Sequence, residues 1–226
     1  MEKELGIICA EGLSFFGKNN RFVSHELKNI LAIISETLGL IDELMELSET
    51  GTVLEPGKLR SLSESVMEEV ERANMIIRNM NTFAHSVDGW VGEVDINQVL
   101  ALMIKLTQLN PASRNTEIRL LKTDPHIVYT SPFFLETLIH HTINFVLLCA
   151  GPEKKIEVSI HPTKTGIRIT FSGLNAIKGS FPTDNTEYLA KVISAEILID
   201  TSAGGLHIEL PQRMNEGLIQ YLLPEG

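Results

Sequence analysis

The sequence predicts an α+β protein: an N-terminal long antiparallel helical hairpin, forming a four-helix bundle as a dimer, followed by an α/β sandwich. Three observations carry this. From Leu27 the apolar residues Leu31, Ile34, Leu38, Ile41 and Met45 follow at alternating spacings of four and three, which is a heptad seam. A second seam runs through Leu59, Leu62, Val66, Val70, Ala73, Ile77, Met80, Ala84 and Val87, beyond a break at Gly51 and Pro56-Gly57. After Gly92 the pattern changes to short β-rich runs alternating with helical segments.

Two long helices joined by a short connection must fold back on each other. One hairpin cannot bury both seams together with Ile30, Ile33, Leu40 and Leu44, so two copies packed as a four-helix bundle is the expected solution and the chain is expected to be a homodimer. This hairpin domain is assigned to residues 1–90 and the sandwich to residues 91–226. In the second domain Asp95 followed by Gln98 reads as a capping box opening a helix to about Leu109. "EIRLL" and "HIVY" read as strands, and the next helix opens with Ser131 as N-cap and Pro132 at the first helical position. "KIEVSIH" and "GIRITF" flank "PTKTG" as a hairpin. Asp184 with Glu187 marks a capped helix to about Ala195, and "EILID", "LHIEL" and "LIQYLL" supply further strand candidates. Strands and helices in this mixture make a helical layer on one mixed sheet.

Composition removes several function classes. With 226 residues and 43% hydrophobic content the chain has enough apolar surface for a folded core. A formal charge of -10, with 19 scattered Lys and Arg, argues against nucleic acid as a partner. Cys9 and Cys149 lie far apart in apolar contexts and read as small core residues in a reducing cytoplasm. The most apolar long segment, from Pro132 to Gly151, contains Glu136, His140 and His141, so insertion into a membrane is not expected.

In "FVSHELKNILAII" the helical period separates chemistry from core. At 100 degrees per residue His25 points about 160 degrees away from the Leu27 to Met45 seam, Asn29 lies one turn further on nearly the same face, and Glu26 and Lys28 flank it. The four read as a surface constellation. Neutral imidazole is a nucleophile near pH 7, and an adjacent carboxylate can accept its proton or orient it. The asparagine offers donor and acceptor to a water or phosphoryl oxygen, and the lysine a positive charge near a transferring phosphate.

With these residues the chain resembles the two-component sensor histidine kinases. "FVSHELKNILAII" is similar to their phosphoacceptor box, "ERANMIIRNMNTFA" to their second hairpin helix, and "VDINQVL" to the opening of their ATP-binding domain. The resemblance implies that His25 is the phosphorylated residue and Glu26 its assisting base. It further implies that Glu26 and Asn29, read as Glu-x-x-Asn, serve hydrolysis of a partner's phosphoryl-aspartate, Asn29 orienting the water. Ile30 stands where many members carry proline. "LIHHTINFVLLCAG" resembles the family's asparagine box, which makes Asn144 a magnesium ligand with His140 beside it in a nucleotide site; the same two residues also read as ordinary polar groups on a partly covered helix.

The other nucleotide boxes are degenerate. "TFSGLNA" stands where the family has Asp-x-Gly-x-Gly, with Phe171 or Ser172 at the place of the adenine-reading aspartate and Gly173 kept. No Gly-x-Gly-x-Gly lid follows, and Gly204 and Gly205 read as a turn. The second domain therefore looks like a sandwich that has lost most nucleotide chemistry, and ATP binding is in doubt. The chain resembles the histidine phosphotransferases derived from such kinases. On that reading it needs no cofactor of its own, and the receiver domain of a response regulator, its expected partner, brings the magnesium ion. Two alternatives stay open: an ATP-dependent kinase with divergent boxes, and a non-catalytic dimeric scaffold that binds a receiver.

Overall fold

A computed structural model of the chain describes residues 2–51, 53–121, 124–175, 177, 180–200, 204–215 and 217; in the first helix side chains are described from Gly6, apart from residues 8 and 9. The fold is α+β. Packing divides the chain into two compact units, residues 20–82 and residues 1–19 together with 83–226. Residues 2–19 thus belong to the sheet-bearing unit, although chain order places them beside the hairpin.

The hairpin unit is built from residues 20–49 of α1 (Glu2–Glu49) and residues 56–82 of α2 (Pro56–Ala84). Past the end of α1, Gly51 takes φ +100, a conformation open to a residue without Cβ. Pro56 opens α2, where a missing N–H leaves no bond unmade. Within this unit the inward residues of α1 are Val23, Glu26, Ile30, Ile34, Thr37, Ile41, Leu44 and Ser48, all buried or half-buried. This face is centred about 60 degrees from the expected seam, toward Glu26. Seam residues Leu31, Leu38 and Met45 are instead 61%, 48% and 54% exposed in the single chain. The physical reason is that α1 carries more apolar positions than one helix contact can cover, so the hairpin uses the seam read by spacing only in part, through Ile34 and Ile41.

The other unit holds a five-stranded sheet in the order β2 (Glu117–Leu120), β4 (Lys155–Pro162), β5 (Gly166–Ser172), β7 (Gly205–Pro211), β6 (Glu196–Asp200). The β2–β4 pair is parallel and the rest antiparallel. Period-two alternation puts Ile156, Val158, Ile160, Ile167, Ile169, Phe171, Leu206, Ile208 and Leu210 on the buried face. Against it lie α3 (Ile96–Gln108), α4 (Pro132–Leu148) and α5 (Asp184–Val192), whose core includes Leu100, Met103, Leu135, Leu138 and Leu189. β1 (Gly92–Asp95) and β3 (Ile127–Thr130) form a separate antiparallel ribbon; β1, only four residues long, was too short to announce itself in the sequence.

Capping follows the expected chemistry with two changes. Asp95 caps α3, accepting from Asn97 N, while Gln98 reaches back to it at 3.3 Å. Ser131 stands at the N-cap of α4 without a side-chain cap bond, and Thr183, not Asp184, caps α5 by accepting from Thr186 N at 3.2 Å. The strand candidate "LIQYLL" and the side chain of Cys9 lie outside the described residues. Cys149 is buried and free. Among the described residues no helix is long and apolar enough to cross a membrane.

Candidate functional site

On α1, in the hairpin unit, His25, Lys28 and Asn29 are exposed, as the helical period requires. Glu26 departs from the expected surface position: it is only 3% exposed. It falls between Val23 and Ile30 on the inward face, and its carboxylate is met there by Arg72 of α2, Nη2 donating to Oε1. Burying a carboxylate is costly unless it is paired, and this pair supplies the compensation. Arg72 also bonds its helix neighbour Glu69, Nη1 to Oε2 at 3.2 Å.

Asn29 links the buried carboxylate to the exposed ring. Its Nδ2 lies 3.5 Å from Glu26 Oε2 and 3.2 Å from His25 Nδ1. Nδ1 is therefore the held nitrogen, and Nε2 the one left for an incoming group. Three of the four sequence candidates thus form one connected cluster, and Lys28 stands exposed one residue from Asn29. Arg72 was missed by sequence reasoning. The Glu69–Arg72 spacing signals a charge pair on a helix face, but its aim at a residue 46 positions away depends on hairpin register.

In the sheet-bearing unit, His140 and Asn144 do share a face of α4, one turn apart, and they bond each other: Asn144 Nδ2 lies 2.9 Å from His140 Nε2 and donates to His140 O at 2.9 Å. His140 is buried under the first segment of α1, where the Phe15 ring stands 4.5 Å from the imidazole. Burial, with the positive charges of His141 and Lys18, pushes His140 down to about 3, so it is neutral at pH 7. Beside it Glu11 reaches His141 at 3.3 Å, close enough for charge attraction, and accepts from Asn185 of α5 at 2.7 Å. Asn144 spends its amide nitrogen on His140, which leaves Oδ1 as the atom a hard cation would take. Phe171, one of the two positions (with Ser172) at which the resemblance would put the family's aspartate, is fully buried in the sheet between Val158 and Leu206 and packs as core.

No family model and no curated protein matches the chain. Among solved structures it is similar to one described as a bacterial phosphotransferase, at 12% identity over 85% of this chain and 94% of that one, with TM-score 0.47. It is similar to the histidine kinase AdeS of Acinetobacter baumannii at 14% identity over 83% and 98%, with TM-score 0.42. It is also similar to the ATP binding domain of PrrB from Mycobacterium tuberculosis at 14% identity over 54% and 98%, with TM-score 0.45. Identities this low leave each residue's role to the chain's own geometry.

Proposed function

We propose that the protein is a dimeric histidine phosphotransferase of two-component signalling, carrying a phosphoryl group on His25 to or from the aspartate of a receiver domain. The observation that carries this reading is an exposed imidazole whose Nδ1 is held by Asn29, next to a buried, ion-paired carboxylate. In the transfer Nε2 attacks the phosphorus of the aspartyl phosphate. The N–P bond forms, the P–O bond to the acyl oxygen breaks, and its electron pair leaves with the aspartate carboxylate. The attacking form is the tautomer with the ring proton on Nδ1, for which a half-turn of the Asn29 amide presents Oδ1 as acceptor, so that Nε2 carries the free lone pair before it attacks. Lys28 supplies positive charge beside the moving phosphate. The receiver brings its own magnesium ion, and neither His140 nor Asn144 enters the transfer. The same exposed Asn29 is suited to orient a water, which would make receiver dephosphorylation a side activity of this site.

The test is incubation with receiver domains charged by acetyl phosphate, and separately with ATP and magnesium, following label on the chain. Label from the receivers alone, abolished by His25→Ala, is the expected result. Label from ATP alone selects a kinase, and tight receiver binding without label selects a scaffold.

A further inference from the structure

We infer that Arg72, on the second hairpin helix, is a positioning residue for chemistry at His25, acting through Glu26 and Asn29. The inference rests on the proposed transfer at His25 and names the residue that organises it. Glu26 is nearly excluded from water, so a counter-charge is needed to hold its carboxylate in place. Arg72 meets it with Nη2. The aim of that guanidinium is in turn set from the same helix, by Glu69 accepting from Nη1 at 3.2 Å.

From Glu26 the order passes outward. Oε2 faces Asn29 Nδ2 at 3.5 Å, and the same amide faces His25 Nδ1 at 3.2 Å. A chain of polar contacts therefore runs from α2 to the reacting ring, and it fixes the ring nitrogen that faces inward. Arg72 is flanked by two carboxylates, so its charge is already offset. That arrangement suits a tether rather than a phosphate clamp, which would need a guanidinium turned toward the incoming group. Without Arg72 the carboxylate loses its contact to α2, and that loosens the support on which the Asn29 amide is oriented.

The test uses the full chain with phosphoramidate, which places a phosphoryl group directly on imidazole and releases ammonia. Rates of phosphohistidine formation are measured by 31P NMR for wild type, Arg72→Met, Arg72→Lys and Glu69→Gln, alongside 15N shifts of the His25 ring. Arg72→Met is expected to lower the maximal rate on the order of tenfold or more, with the half-saturating donor concentration unchanged. Arg72→Lys should recover part of the loss, and Glu69→Gln should show a smaller loss of the same kind. The ring 15N shifts should move in Arg72→Met, as a lost Nδ1 contact requires.

A wild-type rate and unmoved ring shifts in Arg72→Met overturn the inference while leaving transfer at His25 standing. An unphosphorylated His25 in wild type overturns the transfer reading and the inference with it. Should Arg72→Met fail to fold, Arg72→Lys and Glu69→Gln decide: rates equal to wild type in both overturn the inference.

Discussion

Glu136 and His140 lie one turn apart on α4, and burial drives them in opposite directions. The carboxyl is pushed up from 4.5 to about 8, a hydrogen bond from Ser86 holding it back, and the imidazole falls from 6.5 to about 3. Between pH 4.5 and 8 the folded chain holds a proton on Glu136 that the unfolded chain has lost, so this residue makes stability fall as pH rises, by about 1.4 kcal/mol per unit. Between pH 3 and 6.5 the unfolded chain holds a proton on His140 that the folded chain refuses, so this residue makes stability rise with pH. The two slopes cancel from pH 4.5 to 6.5 and leave a decline from 6.5 to 8. Glu136→Gln is expected to remove that decline and raise stability at pH 8 by a few kcal/mol, read from urea unfolding at several pH values. A variant that tracks wild type across that range would place the ionised carboxylate in the folded state. At this scale the candidate site was half legible. Arithmetic at 100 degrees per residue put His25 and Asn29 outside correctly, because solvent-facing residues need no partner. It failed for Glu26, because its burial is compensated by Arg72, which nothing local in sequence announces.

Between elements, Gly173 shows a residue required by geometry rather than chemistry. Gly173 follows β5 at φ +89, and a Cβ there would meet the Lys155 carbonyl oxygen at 2.3 Å. This backbone collision explains the glycine without any nucleotide. Gly173→Ala is expected to destabilise the fold by about 1–3 kcal/mol, seen as a lower Tm, with transfer at His25 unaffected. The β4–β5 hairpin was legible because its alternation is strict and its turn chemistry local: Thr163 N donates to Gly166 O at 2.8 Å, and Thr163 Oγ1 accepts from Gly166 N at 3.1 Å. The α5 cap was misplaced by one residue because Asp184 and Thr183 both carry capping side chains, and only the backbone path decides which oxygen faces Thr186 N. Helix existence was readable from period and breakers; helix facing was not, since α1 is apolar on more than one side.

At the scale of the whole molecule, that surplus of apolar faces is the argument for a second copy. Once the hairpin has used Val23, Ile30 and Ile76 internally, Leu31, Leu38 and Met45 remain as an exposed stripe on α1, and Met67, Val70 and Ile77 remain exposed on α2. Leu31, Leu38 and Met45 recur every seven residues, the repeat that packs helix against helix. Isolated exposed leucines are common on folded proteins, but a heptad of them is an interface pattern. A homodimer through this stripe would bury it as a four-helix bundle and leave His25, about 120 degrees or more around the helix from it, accessible. Leu31→Glu with Leu38→Glu is expected to give a monomer that retains its helical content, measured by light scattering and circular dichroism. A pair of charges in the stripe that leaves a dimer intact would move the interface elsewhere on the chain. A wild-type monomer at all concentrations would leave the heptad on α1 without a partner and remove the bundle from the proposed function, while the Glu26–Asn29–His25 contacts, which lie within one hairpin, would stand unchanged.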